Sequence, residues 1–259
     1  MKKLLIVLSA LTVFASCKKE DPITPLTNTT LPTSSVNKNV VKIVYVYDNG
    51  APETDSYSYD AQGRISEFKE DTRTTTFNYV SPSLLITTEK NNANNSINGT
   101  KECELNSNGA ITKMTFKSAA SAITFTYEYT YNADGYITSQ KGIYANGNTS
   151  ELIYTIVNGN MIAEKLYRNN VLNSTSEYTY DNTKANKTAF SYSSYWNSYT
   201  LFGKPTKNLS IECKTFDVNG TLTWHTKSSY ETDVDGYYTK QIINYVLDGT
   251  ISVNTFTYQ

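Results

Sequence analysis

Few residues in this chain have chemistry to offer. His225 is the single histidine. It alternates with Trp224 along a predicted strand and has no nearby His or Cys, so neither a histidine-based triad nor a zinc-type centre has its parts. Asp233, Asp235 and Gly236 share part of a calcium-loop pattern. The closing Glu and the full spacing are missing, and the segment reads as a turn. Carboxylates stand side by side at Glu20–Asp21 and Glu70–Asp71. Glycoside hydrolysis needs two carboxyls at a fixed separation in a cleft, and these pairs fall in a linker-like stretch and at a turn. A hydrolase would need acidic residues gathered from distant strands. No glycine-rich phosphate loop or activated serine is present. The expectation is no catalytic residue, no metal and no cofactor.

What remains is the chemistry of flat rings. Tyr192 to Phe202 concentrates Tyr195, Trp196, Tyr199 and Phe202, with no strong turn signal until Gly203 and Pro205. Amphipathic rings make good contact surfaces, sugar faces included. Tyr195, Trp196 and Tyr199 are therefore the candidate ligand-binding residues, for an extracellular glycan or protein ligand. A strand would place Tyr195 and Tyr199 on one face and Trp196 on the other, so a shared platform requires an irregular loop. The alternative is that these rings plug the fold.

Any such site must be positioned by strands. Tyr accounts for 22 of 259 residues, and Thr and Asn are abundant, a composition that favours strands and turns. Ile123, Phe125, Tyr127, Tyr129 and Tyr131 alternate with Thr124, Thr126, Glu128 and Thr130, which predicts a strand with one buried, aromatic face. Tyr131 then opens YNADGYI, a polar turn with Gly135 four residues on. Asn and Asp bond their own backbone two residues on, and Gly supplies positive φ. Variants of the phrase begin at Tyr59 (YDAQGRI), Leu105 (LNSNGAI), Ile156 (IVNGNMI), Tyr180 (YDNTKAN), Phe216 (FDVNGTL), Thr232 (TDVDGYY) and Leu247 (LDGTI). Each reads as a hairpin turn. The gap between Tyr59 and Leu105 leaves room for an extra hairpin around Pro82. The whole predicts an all-β antiparallel meander of roughly 14–17 strands. So many strands in an open sheet would leave exposed edges, which closure into a barrel removes. The aromatic faces are expected to point inward and the Thr, Glu and Lys faces outward. That arrangement lacks the lipid-facing apolar band of a membrane-spanning barrel.

The first residues carry an address. Lys2 and Lys3 precede an apolar stretch, Leu4 to Phe14, and the small residues Ala15 and Ser16 precede Cys17. This is an export signal over residues 1–16, too short to remain as a spanning helix. The order of small residues and Cys is similar to a bacterial lipobox, which implies lipid attachment at Cys17 and a membrane partnership through that lipid. Lys18 after the Cys, and the tract Lys18 to Asp21, imply the outer membrane and its outer surface. Residues 17–39 hold Pro22, Pro25 and Pro32 among Thr, Asn and Ser and read as a tether. The barrel domain is then 40–259. Without Lys2 and Lys3 the chain has 21 basic and 24 acidic residues, a balance that offers nothing to nucleic acid. Cys103 and Cys213 are expected to be unpaired strand fillers, because face counting sets them differently relative to their turns.

YDAQGRI resembles the YD repeat of Rhs-type proteins. More of the chain, from the lipoprotein start through the turns, YDNTKAN and LFGKPTKNLS from Leu201, resembles a group of Bacteroidota outer-membrane lipoproteins of unknown function with a porin-like β fold. The resemblance spans roughly Val40 to Gln259 and implies a closed porin-like barrel. Members tend to carry Asn-Pro-Phe after the YD turn. Here Lys187 and Thr188 stand at the Pro position, with Phe190 following. The family brings no catalytic residues. The function expected is an outer-membrane-anchored, non-catalytic binding or structural module; the alternative is a hydrolase with acidic residues in the barrel lumen.

Overall fold

The computed structural model describes residues 38–188 and 199–259. Sixteen strands follow one another, each antiparallel to the next. They are β1 (Val40–Tyr47), β2 (Glu53–Tyr59), β3 (Ile65–Lys69), β4 (Arg73–Ser81), β5 (Leu84–Asn91), β6 (Ile97–Leu105), β7 (Ile111–Ser118) and β8 (Ile123–Tyr131). Then come β9 (Ile137–Tyr144), β10 (Thr149–Val157), β11 (Asn160–Arg168), β12 (Val171–Ala185), β13 (Asn208–Asp217), β14 (Leu222–Thr232), β15 (Tyr238–Tyr245) and β16 (Ile251–Tyr258). β1 pairs with β16, with Ile43 opposite Phe256, and the sheet is a closed barrel. The expected all-β closed meander is thus the observed fold, including the extra β4–β5 hairpin at Pro82.

The turns follow the sequence signals. Gly63, Gly109, Gly135, Gly220 and Gly236 all have positive φ. In each case the Asp or Asn three residues earlier accepts the Gly N–H through its backbone carbonyl. Its side chain also caps the turn: Asn132 Oδ1 accepts from Tyr136 N at 3.0 Å. One phrase departs from the expectation. YDNTKAN is no hairpin turn: the chain continues as β12 to Ala185, with a bulge between Asp181 and Ala185. Lys184 stands four residues after Tyr180, where most of the phrases have Gly, so the tight reversal is replaced by a long connection to Asn208.

Alternation sets the two faces. Tyr127 and Tyr129 are buried inside, and Thr124, Glu128 and Thr130 are exposed. Around the outside, Glu104, Lys113, Glu128, Lys141 and Glu151 lie directly opposite one another on five successive strands, alternating in sign. Such cross-strand pairs stabilise a solvated sheet face by roughly 0.2–1 kcal/mol each, whereas a basic side chain at a bilayer midplane costs about 2–4 kcal/mol. The outward face is therefore not an apolar band.

The inside is filled unevenly. From β1 to β8 many inward residues are large and apolar: Ile43, Tyr57, Phe68, Phe77, Leu85, Met114, Tyr127 and Tyr129 form one cluster, with Thr75 and Thr87 buried between them. Phe116 and Phe125 stack with ring centres 3.7 Å apart. From β12 to β15 the inward positions instead hold Ser176, Cys213, Thr215, Thr226, Ser228 and Gln241. The hollow half of the lumen is thus the β11–β15 side, although the other side also keeps a cavity of about 340 Å3 among Phe68, Thr75, Thr87 and Phe116.

Candidate functional site

The barrel has two unlike ends. At one, here the base, lie both ends of the described domain and the connection between β12 and β13. The connection seats itself firmly. Asn186 N donates to Lys207 O, Lys204 N to Gly135 O and Lys207 N to Gly159 O. Thr188 is wholly buried, with its hydroxyl 2.9 Å from that of Tyr258. Lys187 Nζ donates to Asp235 O at 2.6 Å. These are the residues at which the chain departs from the Asn-Pro-Phe pattern, and here they pin the connection to the base. Leu201 joins the core cluster and the Phe202 ring packs 5.3 Å from Tyr129. Gly203 has φ +84, and a Cβ there would meet the Gly135 carbonyl at 2.5 Å. Leu201 and Phe202 thus act as a stopper. Of the candidate ring platform, Tyr195 and Trp196 lie outside the described residues, and Tyr199 opens the 3-10 turn Tyr199–Phe202.

The hollow half lies beneath the opposite end, the mouth. Its cavity measures about 370 Å3 and is walled by β11 to β15, at the small end of the roughly 300–1,000 Å3 range of ligand sites. The Ser176 and Thr215 hydroxyls are 2.9 Å apart. Gln241 forms part of the far wall: its Nε2 donates to Tyr230 Oη at 3.2 Å, and its Oε1 accepts from Asn254 Nδ2 at 3.2 Å. At the rim, Trp224 is 48% exposed. Its ring meets Tyr245 edge to face at 5.2 Å, and Tyr245 meets Tyr47 in the same way at 5.6 Å.

Glu164 supplies the cavity's buried charge. Burial raises its carboxyl above the usual carboxylate range, against a hydrogen bond from Tyr178 Oη at 3.5 Å. Tyr154 stands opposite Glu164 on β10. Its hydroxyl and the Asn186 Oδ1 are the buried side-chain polar atoms among the described residues that have no partner. The other acidic residue of the wall, Glu212, is engaged: Oε1 meets His225 Nε2 at 2.8 Å and Oε2 meets Lys214 Nζ at 3.3 Å. The His225 hydrogen bond, then Lys214, holds its carboxyl below the usual range. His225 thus belongs to an ion-pair cluster. No group of three potential metal ligands occurs among the described residues.

The other sequence candidates resolve structurally. Asp233 Oδ1 accepts the N–H groups of Asp235 and Tyr237. Its Oδ2 and the Asp235 Oδ2 grip Lys38 Nζ at 2.8 and 2.6 Å, so an ammonium stands where a calcium loop would hold its ion. Cys103 and Cys213 are both free. Burial pushes the Cys103 thiol up to about 12. Glu70 forms a two-pronged pair with Arg73, at 2.8 and 3.0 Å. The sequence signal for the cavity is the inward register of WHTKSSY, from Trp224, in which Thr226 and Ser228 stand where other strands hold rings.

A closed meander with a stoppered base can be compared with known architectures. No family model and no curated protein matches the chain. Among solved structures, a porin-like protein from Bacteroides uniformis matches with TM-score 0.64 over 85% of this chain and 96% of its own, at 17% identity. A porin-like protein from Bacteroides vulgatus matches with TM-score 0.65 over 86% and 99%, at 13% identity. The chain has the porin-like fold. At such identities the likeness extends to architecture alone.

Proposed function

We propose that the protein is a non-catalytic binding or structural module, held at the outer membrane by a lipid on Cys17, whose receptor site is the hollow half of the lumen. The observation that carries this reading is the asymmetry of the barrel: the base is stoppered by its own connection, while a cavity lined by rings with hydroxyls set among them reaches up to Trp224 and Tyr245 at the mouth. The chain enters β1 at the base. The charged outer face suits a barrel standing in water.

A thermal-shift screen of small molecules on the full chain tests the reading. At least one compound should raise the melting temperature of the wild type and lose its effect in Ser228→Phe, which fills the cavity. A screen without any such compound would reduce the role to a structural one. The hydrolase alternative draws on Glu164, whose raised carboxyl is suited to acid catalysis. It needs a second free carboxyl in the cavity, and Glu212 is committed to His225 and Lys214. Turnover of any glycoside by the wild type, abolished in Glu164→Gln, would favour the enzyme.

A further inference from the structure

We infer that the ligand of the hollow half is a neutral saccharide, docked ring-first past Trp224. The inference rests on the binding reading above and deepens it.

Three observations converge. The first is charge. The cavity wall holds no Lys, Arg or Asp, and one of its two glutamates is neutralised by its own ion pairs. An anion would find no counter-charge there, and burial of an unpaired anion is costly. The second is the wall's hydrogen-bonding character. Ser176, Thr215, Thr226 and Ser228 carry hydroxyls that donate or accept as required. A ligand that is polar at its edges and apolar on its faces matches a wall on which these hydroxyls sit among the rings of Tyr178, Tyr180, Tyr230 and Tyr245. The third is an exposed ring. At the rim, the half-exposed Trp224 provides a flat apolar surface for the C–H face of a ring, with Tyr245 and Tyr47 behind it.

Isothermal titration calorimetry on the purified full chain tests the inference, with maltose, cellobiose and N,N′-diacetylchitobiose as neutral probes. Glucuronic acid and glucosamine serve as the anionic and cationic arms. At least one neutral disaccharide should bind saturably. Ser228→Phe should weaken it ten-fold or more at unchanged melting temperature. Trp224→Ala, a rim substitution, should do the same should the filled variant fail to fold. The inference is overturned if no neutral sugar binds, if only a charged sugar binds, or if sugar binding ignores both substitutions. A non-sugar compound whose thermal shift is lost in Ser228→Phe, with no sugar bound, would leave the lumen a binding site and remove the saccharide alone. If no compound of any class depends on Ser228, both readings fall.

Discussion

The Tyr131 hydroxyl donates to the Ile111 carbonyl at 2.6 Å, tying the last residue of β8 to the first of β7. The same tie recurs from Tyr59 to Val40, Tyr180 to Met161, Tyr230 to Ser210 and Tyr258 to Tyr238, at 2.6–2.7 Å and always 19 or 20 residues back. Each fastens the base of one hairpin. The tyrosine that opens a turn phrase thus has a task that neither its ring nor its place beside the turn explains. It satisfies a carbonyl at the start of the preceding strand.

Tyr131→Phe keeps the ring and strands the Ile111 carbonyl. It should lower stability by about 0.5–1.5 kcal/mol, the net worth of one hydrogen bond, in urea unfolding. Tyr180→Phe should cost a similar amount, and the two should add, since they serve separate hairpins without shared partners.

Asp55 gives the fold a pH dependence. Burial raises its carboxyl to about 6, helped by Glu70 and Glu53 and opposed by the hydrogen bond to Tyr45. The folded state therefore holds this proton more tightly than the unfolded chain, whose Asp titrates near 4 (~3.9). The stabilising contribution is present below that value and is lost as pH rises through about 6. Asp55→Asn should stabilise the protein at neutral pH. Solvent screening at this partly exposed site limits the gain to about 1 kcal/mol. The advantage should vanish at about pH 4, as urea unfolding at both pH values would show.

The stopper depends on Gly203. Gly203→Ala sets a Cβ against the Gly135 carbonyl in a backbone conformation that L-residues avoid. A loss of more than about 1 kcal/mol is expected, together with readier proteolysis of the 186–207 connection. Equal protease resistance in variant and wild type would separate the stopper from the core.

Cys17→Ala should release the protein from the membrane fraction, and mass spectrometry of the wild type should find a lipid-modified N-terminal peptide. An unmodified Cys17, or unchanged fractionation of the variant, would count against the anchor.

Much of this fold is legible in the sequence, because antiparallel meanders are built from local rules. Alternation marks β8, and Asn or Asp followed by Gly marks its turn. Asn158–Gly159, with φ of 52 and 81, is the two-residue turn that such a dipeptide favours. The Asn169–Asn170 turn escapes a Gly-based search, because two asparagines take the left-handed conformation instead. YDNTKAN misleads for the converse reason: the phrase persists, but without Gly the strand runs on. The hollow half is less accessible still. It follows from which inward residues face each other across the lumen: residues as far apart in sequence as Met161 and Tyr245 line it together. The ion pair that fills the Asp233 turn comes from Lys38, 195 residues away.

The seam between β1 and β16 has a consequence for biogenesis. Every other strand pairing joins neighbours in sequence and can form as the chain emerges, at little loop-closure cost. The seam unites Asn39 with Gln259 through reciprocal backbone hydrogen bonds, so the sheet stays open-edged until β16 has been made. The C-terminal strand acts as the latch of the whole cylinder. A nascent chain stalled before Ile251 would expose two unpaired edges at once, on β1 and β15, and such edges recruit other chains. Assembly of this barrel is therefore more sensitive to the eight-residue closing strand β16 than to any other strand.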